Sequence, residues 1–122
     1  MVTRILVVED DPNILLSLTF LLENAGHTVI SAGDGLQAWA AMQAHRPELV
    51  VLDVMLPALD GFEVCRRIRA SEILSSTKVL MLSARGGDAE AEKSRQLGAD
   101  AHLRKPFATR EFMDTVVRLL KS

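Results

Sequence analysis

The feature that most constrains the fold is a regular alternation of five short apolar runs with five segments of helical periodicity. The runs are rich in Val, Ile and Leu, which is typical of strands in a parallel sheet. Parallel strands need a crossover between them, and one helix fills each crossover here. We therefore predict an α/β domain with helices on both faces of the sheet. The predicted strands cover residues 5–8, 28–30, 49–52, 79–82 and 101–103, and we expect each to be buried on both faces.

Boundary signals place the helices between these strands. Pro12 suits a first helical position, and Gly26 stands where that first helix should end. Gln37 has the spacing of a capping box at the start of a second helix over residues 36–44. The N-caps predicted for the first, second and fifth helices are Asp11, Asp34 and Thr109, and the third helix is expected to open at Asp60.

The third and fourth predicted helices differ in their apolar content. The third has an inward stripe of Phe62, Cys65 and Ile68, and its three arginines lie largely outside that stripe. The fourth, over residues 88–96, has many charges and no large apolar stripe, so we expect it to pack weakly and to move. The arginines predicted to form a solvated face are Arg66, Arg67 and Arg69.

Composition limits the organisation and the partners of the chain. Its 122 residues suit one domain, which we expect to span residues 1–122. A single cysteine permits no internal disulfide, and residues 1–10 are too short for a signal peptide or a membrane span. The formal net charge of −2 argues against direct binding of nucleic acid. We expect a cytoplasmic domain that contacts neither nucleic acid nor a membrane.

Strand order decides where a site can form. For five βα units we predict the flavodoxin-like (βα)5 arrangement, a doubly wound five-stranded parallel sheet in the order 2-1-3-4-5. The order reverses between strands 1 and 3, and ligands of such sheets bind there, beyond the carboxyl ends of the strands. The polar residues at those ends are Glu9, Asp10, Asp11, Asp53, Ser83 and Lys105.

These residue types together indicate phosphoryl chemistry. Acidic groups crowded at one edge repel each other and stay ionised only beside a cation, and carboxylate oxygens suit Mg²⁺. A metal, the Lys105 ammonium and the Ser83 hydroxyl would match the three equatorial oxygens of a phosphoryl group in transfer. Asp53 would be the attacking nucleophile, so the residues predict a reversible phosphoaspartate. Asp11 fits an ordinary N-cap instead.

In these segments the chain resembles the receiver domain of two-component response regulators, the CheY-like family. The resemblance covers essentially the whole chain, and its segments come in the family's order. They are Ile-Leu-Val-Val-Glu-Asp-Asp at 5–11, Leu-Asp-Val-Met-Leu-Pro at 52–57, Asp-Gly at 60–61, Leu-Ser-Ala at 82–84 and Lys-Pro-Phe at 105–107. Their combination is specific, although each one alone is a weak signal.

The resemblance implies roles for individual residues. Asp53 would accept a phosphoryl group from a histidine kinase or a histidine phosphotransfer protein. Asp10 would bind Mg²⁺ directly, Glu9 would bind it through water, and the backbone carbonyl of Met55 would complete the protein ligands with Asp53.

Further implied roles concern the signal. Lys105 would contact the phosphoryl group, with a cis peptide before Pro106. Ser83 would move to donate a hydrogen bond to that group, and the face formed by helix 4, strand 5 and helix 5 would change its affinity for a downstream protein or a missing output domain. Kinase specificity would lie in Asp11, Pro12, Asn13, Leu16 and Phe107.

The sequence departs from the family at three places. His102 stands where an aromatic Tyr or Phe usually turns inward as Ser83 moves, so His102 is the second predicted switch residue. Met55 and Arg85 would flank the path of hydrolytic water, and bulky Met55 predicts slow self-dephosphorylation. The helix 4 to helix 5 surface keeps Asp100 and Glu111 but carries Thr115 where DNA-binding receivers usually place a dimer-forming Arg.

Three other functions remain open from the sequence. The first is the receiver half of a DNA-binding transcription regulator, and the second is a scaffold that works without phosphorylation. The third is a Mg²⁺-dependent phosphohydrolase, but such enzymes commonly carry a second aspartate two residues beyond the nucleophile, where this chain has Met55. We therefore do not expect turnover of an external substrate.

Overall fold

The computed structural model describes residues 3–84 and 88–122, in which a five-stranded parallel sheet alternates with helices. The strand order is β2-β1-β3-β4-β5, as predicted. The strands are β1 (Arg4–Val8), β2 (Thr28–Ala32), β3 (Leu49–Asp53), β4 (Lys78–Ser83) and β5 (Ala101–Arg104). The helices are α1 (Pro12–Asn24), α2 (Gly35–His45), α3 (Gly61–Ala70), α4 (Asp88–Gln96) and α5 (Thr109–Lys121).

Two hydrophobic cores form, one on each face of the sheet, because successive strand residues point to opposite faces. On β1, Leu6 and Val8 join the core under α2 and α3, whereas Ile5 and Val7 join the core under α1 and α5. Both cores are built mainly from fully buried aliphatic side chains. The sheet is thus a rigid platform that holds its carboxyl edge in place.

Burial differs between the middle and the edge of the sheet. The middle strands β1, β3 and β4 are almost fully buried. The expectation of burial on both faces was wrong for β2 and β5, which are the edge strands and are only partly covered. A strand with one neighbour leaves its outer side open to solvent.

Two of the three predicted N-caps are confirmed, since Asp11 and Asp34 accept backbone N–H bonds from the first turns of α1 and α2. Helix α3 opens at Asp60 as expected, and Asp60 is its N-cap. The prediction of Thr109 as N-cap was wrong, because Ala108 has the extended cap conformation and Thr109 is the first helical residue of α5. No side chain caps α5 as a result.

The predicted solvated face of α3 was wrong at Arg69. Its guanidinium donates to the carbonyl oxygens of Gly98, Ser75 and Thr77 and pairs with Asp100 at 2.7 Å. Arg69 therefore ties α3 to the segments before β4 and β5. The predicted inward stripe also gains a member, since Val64 is buried with Cys65 and Ile68, whereas Phe62 is only partly buried.

Helix α4 is the least buried of the helices, as its sequence predicted. Among its residues only Ser94 is buried. Within the described ranges, no helix is long and apolar enough to cross a bilayer.

Candidate functional site

Three carboxylates converge at the carboxyl edge of the sheet. Glu9 and Asp10 follow β1, Asp53 ends β3, and one oxygen from each lies within 4.8 Å of the others. Glu9 and Asp53 are buried, whereas Asp10 is exposed. The cluster lies between β1 and β3, which is the point where the strand order reverses.

Lys105 supplies positive charge to this cluster. Its ammonium group donates to Glu9 Oε1 and to Asp53 Oδ2, each at 2.8 Å. The backbone N–H of Lys105 donates to the carbonyl of Ser83 at 2.7 Å, which ties the β5–α5 connection to the end of β4. The Lys105–Pro106 peptide is cis, as the resemblance implied.

The electrostatics of the cluster leave it short of positive charge. Burial and the nearby charge of Asp53 raise the pKa of Glu9 above its ordinary value, although the hydrogen bond from Lys105 opposes them. Burial alone would lower the pKa of Lys105, but its bonds to Asp53 and Glu9 outweigh burial and raise the pKa. One ammonium thus faces three carboxyl groups. This donor set of hard oxygens, open to water at Asp10, fits a divalent cation of the Mg²⁺ type.

The local fold fixes the Asp53 carboxylate from both sides. Its Oδ1 accepts the backbone N–H of Met55 at 3.2 Å, and its Oδ2 accepts from Lys105. Gly61 lets the start of α3 approach β3 closely, since a Cβ at that position would collide with the carbonyl oxygen of Asp53. Met55, two residues after Asp53, is 65% exposed.

Ser83 and His102 contact each other directly. Ser83 is buried at the end of β4, and its Oγ lies 2.9 Å from His102 Nε2 on β5. Met81 pairs with His102 in the β4–β5 register, so Ser83 is the diagonal neighbour of the histidine. The sequence motifs gave no sign of this bond, because it depends on the register of two strands.

Other residues that the sequence analysis named lie away from the acidic cluster or have structural roles. Asp11 caps α1 and donates its backbone N–H to Glu9 Oε2. Asp100 is occupied by Arg69 and by the backbone N–H of Val79. Thr115 is buried and donates to the carbonyl of Glu111, so it offers no surface contact. Arg85 lies outside the described residues.

The fold and the site together define a class of protein. Five parallel strands in this order form a flavodoxin-like sheet, and the acidic cluster lies at its topological switch point beside a lysine. Comparison with known sequences then gives the family. A family model described as the response regulator receiver domain matches residues 5–117, and the chain belongs to that family.

Relatives and solved structures agree with this membership. The chain is 40% identical over 118 residues to the alkaline phosphatase synthesis transcriptional regulatory protein PhoP of Bacillus subtilis strain 168, covering 97% of this chain and 48% of PhoP. It is 48% identical over 104 residues to the transcriptional regulatory protein TcrA of Mycobacterium tuberculosis H37Rv, covering 85% of this chain and 40% of TcrA. The chain thus spans about half the length, or less, of these curated relatives.

Among solved structures, one of a putative response regulator from Chloroflexus aurantiacus superposes with a TM-score of 0.95. The two chains are 30% identical, and the match covers 100% of each.

Proposed function

We propose that this receiver domain is the phospho-acceptor switch of a two-component phosphorelay, with Asp53 as the phosphorylated residue. The observation that carries the proposal is the Asp53 carboxylate, buried at a strand end and bonded to Lys105 beside Glu9 and Asp10. A structural role alone gives no reason to bury Glu9 and Asp53 around one lysine beside a third acid, since burying charge is costly.

The proposed reaction moves a phosphoryl group between two side chains. An Asp53 oxygen attacks the phosphorus of a phosphohistidine on a kinase or phosphotransfer protein, a P–O bond forms, and the P–N bond breaks with its electron pair going to the imidazole. Lys105 already contacts Asp53 Oδ2, so its ammonium is placed to balance the charge that the phosphoryl oxygens bring. Ser83 would complete the contacts by donating its hydroxyl to one of those oxygens.

Magnesium is the cofactor that we propose for this transfer. Glu9, Asp10, Asp53 and the backbone carbonyl of Met55 would hold it, and Asp10, which is exposed, leaves room for retained water ligands. A bound Mg²⁺ would neutralise the charge that develops on the phosphoryl oxygens.

The phosphoryl donor would dock on the surface beside Lys105. A cleft of about 490 Å³ lined by Ile14, Ala84, Lys105, Pro106 and Phe107 opens there, and its lining is almost entirely apolar. Leu16, on the adjoining turn of α1, is 70% exposed. A histidine-bearing protein seated on this surface would bring its phosphoryl group toward Asp53. The donor we propose is a histidine kinase or a histidine phosphotransfer protein in the cytoplasm.

The output would pass through α4, β5 and α5, which carry the switch residue His102 and the weakly buried helix α4. A downstream protein or an output domain would read the change.

The second candidate function is the receiver half of a transcription regulator, which the names of PhoP and TcrA and their greater length favour. On the face formed by α4, β5 and α5, Asp100 pairs with Arg69 within the domain, and Thr115 is buried, so Thr115 offers no contact to a dimer partner.

We do not expect the domain to turn over an external substrate. Met55 stands where an aspartyl-phosphate phosphohydrolase commonly has its acid–base residue, and Met55 cannot exchange a proton.

The proposed function is tested by intact-mass measurement after incubation with acetyl phosphate, with and without Mg²⁺. We expect one added phosphoryl group in wild type with Mg²⁺ and none in Asp53→Asn. Asp10→Asn should also lose the Mg²⁺-dependent gain. The matched Asp11→Asn should keep it, because this substitution removes a neighbouring carboxylate charge but leaves a side-chain oxygen that can still cap α1. No gain in wild type under any condition would favour the phosphorylation-independent scaffold instead.

A further inference from the structure

Glu90 on α4 carries an unsatisfied buried oxygen. Its Oε1 is screened from solvent and has no hydrogen-bond partner, and no other buried side-chain nitrogen or oxygen in residues 3–84 and 88–122 is left in this way. An unpaired buried carboxylate oxygen is costly because its lost bonds to water are not replaced. Such an atom marks a place where a partner could arrive in another state of the protein.

His102 lies on β5, which packs against α4, and it is a titratable group on which the charge of Glu90 acts. Burial lowers the pKa of His102 below its ordinary value, Arg104 adds to this effect, and the charge of Glu90 opposes it. Arg95 and Asp100 line the same crevice as His102. Arg95 is paired with Glu92, and Asp100 is paired with Arg69. Among these charged groups in the described residues, Glu90 is the carboxylate that has a buried oxygen without a hydrogen-bond partner.

With Nε2 of His102 unprotonated, the Ser83 hydroxyl donates to the ring, and it cannot then also donate to a phosphoryl group. A serine hydroxyl has one proton to donate. In the structure, the Ser83 hydroxyl is engaged with Nε2 of His102 at 2.9 Å. If that hydroxyl turns to a phosphoryl oxygen on Asp53, the partly buried imidazole loses its hydrogen-bond partner.

We propose that Glu90 is a positioning residue, which receives His102 as an imidazolium when Ser83 turns toward the phosphoryl group. The exchange takes up one proton from solvent, so that a neutral imidazole bonded to Ser83 becomes a cation paired with the Glu90 carboxylate. This inference rests on the proposed function and deepens it, because it makes the phosphorylated state depend on pH through residues outside the acidic cluster.

The direction of the pH dependence follows from linkage. Pairing with Glu90 raises the pKa of His102 in the phosphoryl-bound state above its value in the free state, which lies below the ordinary histidine value. The bound state is therefore favoured as the pH falls through the higher pKa, and the effect levels off below the lower one. A shift of about one pKa unit corresponds to about a tenfold change in affinity.

The test is an NMR titration of the His102 ring from pH 5 to 8, in the free protein and in the protein saturated with Mg²⁺ and beryllium fluoride, a phosphoryl mimic. In wild type we expect loading to raise the pKa of His102 by about one unit. Glu90→Gln should abolish that rise and lower the pKa of His102 in the free protein. Glu92→Gln, which removes an exposed carboxylate of the same helix, should behave as wild type.

A second readout is the apparent affinity for beryllium fluoride at pH 5.5 and 7.5. The affinity at pH 5.5 is divided by the affinity at pH 7.5, both in wild type and in His102→Gln, which keeps a polar group but does not titrate. Dividing the wild-type ratio by the His102→Gln ratio removes the contribution of the carboxylates in the acidic cluster. We expect a remaining factor of about five in favour of pH 5.5, because this interval covers most of the tenfold change that one pKa unit allows. Binding without a change in the His102 pKa, or a Glu90→Gln protein that matches wild type, would overturn this inference alone. Failure of wild type to bind beryllium fluoride at any pH would overturn the proposed function, and the inference with it.

Discussion

Met55 follows Asp53 by two residues, and its exposed side chain is the one that we expect beside the approach to phosphorus. Its backbone N–H holds Asp53 Oδ1, while its side chain projects into water and is 65% exposed. An apolar side chain in this place neither orients nor activates a water molecule. We therefore predict that it slows hydrolysis of the acyl phosphate by covering the approach to phosphorus.

Met55→Ala should shorten the lifetime of the phosphorylated domain. If the substitution lowers the activation free energy of hydrolysis by about 1 kcal/mol, phosphate is lost about five times faster. The measurement is the decay of the phosphoprotein after removal of the donor, followed by intact mass. Leu36→Ala, which truncates another exposed apolar side chain, is the control and should decay like wild type. An unchanged lifetime in Met55→Ala, or a wild-type half-life of only seconds, would contradict the role given to Met55.

Arg69 matters to the fold more than any other arginine on its helix. It makes hydrogen bonds to three carbonyl oxygens and an ion pair with Asp100, and its side chain is only 24% exposed. Arg69→Ala should lower the free energy of unfolding by about 2–3 kcal/mol, because it leaves partly buried acceptors without a donor. Urea denaturation measures the change.

Arg66→Ala is the matched control for this prediction. Arg66 lies on the same helix, is 58% exposed and pairs only with Glu63, so its removal should change the free energy of unfolding by less than about 0.5 kcal/mol. Equal effects of the two substitutions would show that the Arg69 contacts contribute little.

Helix α5 begins without a side-chain cap, although its inner face is well buried. Ala108 already has the extended backbone that an N-cap requires, with φ −73° and ψ 144°. Ala108→Ser should raise the free energy of unfolding by about 1 kcal/mol, because the new hydroxyl can accept a free N–H of the first turn. Asp34→Ala, which removes the bond from Gln37 N–H at 2.7 Å, should lower it by a similar amount. A lower urea midpoint for Ala108→Ser would contradict the assignment of Ala108 as cap.

The elements that the sequence predicted well are those set by local interactions. The start of α1 depends on Asp11 and its own first turn, and the end depends on Gly26, whose φ of 94° suits glycine. The start of α5 was misplaced because Thr109 is the better capping residue by type, whereas the chain bends one residue earlier. Local signals do not separate two adjacent candidates of this kind.

The contacts that the sequence did not predict depend on chain segments far apart. Arg69 meets carbonyl groups from two other loops, and no periodicity on α3 distinguishes it from Arg66. The Ser83–His102 bond similarly requires the β4–β5 register. The acidic cluster could be predicted because a parallel sheet brings all strand ends to one edge, and strand order alone then places Glu9 beside Asp53.

For the molecule as a whole, the cluster should couple cation binding to stability. A cation that binds only the folded state raises the free energy of unfolding, by about 1.4 kcal/mol when free Mg²⁺ is ten times its dissociation constant. In a domain of this size that corresponds to a rise of about 5 °C in Tm. We expect the rise in wild type and in Asp11→Asn, measured by calorimetry at constant ionic strength.

Asp10→Asn should lose most of this Mg²⁺-dependent rise in Tm, because it removes one carboxylate charge from the cluster and leaves the α1 cap intact. A Tm that responds equally to Mg²⁺ in wild type and in Asp10→Asn would place the cation elsewhere on the molecule.

The measurement that tests the central claim most directly is identification of the phosphorylated residue. Wild type treated with acetyl phosphate and Mg²⁺ is reduced with borohydride, which converts an aspartyl phosphate to homoserine, and is then sequenced by tandem mass spectrometry. The account predicts homoserine at position 53 and at no other aspartate. Homoserine at another aspartate, or phosphate retained on a histidine such as His102 with Asp53 unmodified, would contradict it.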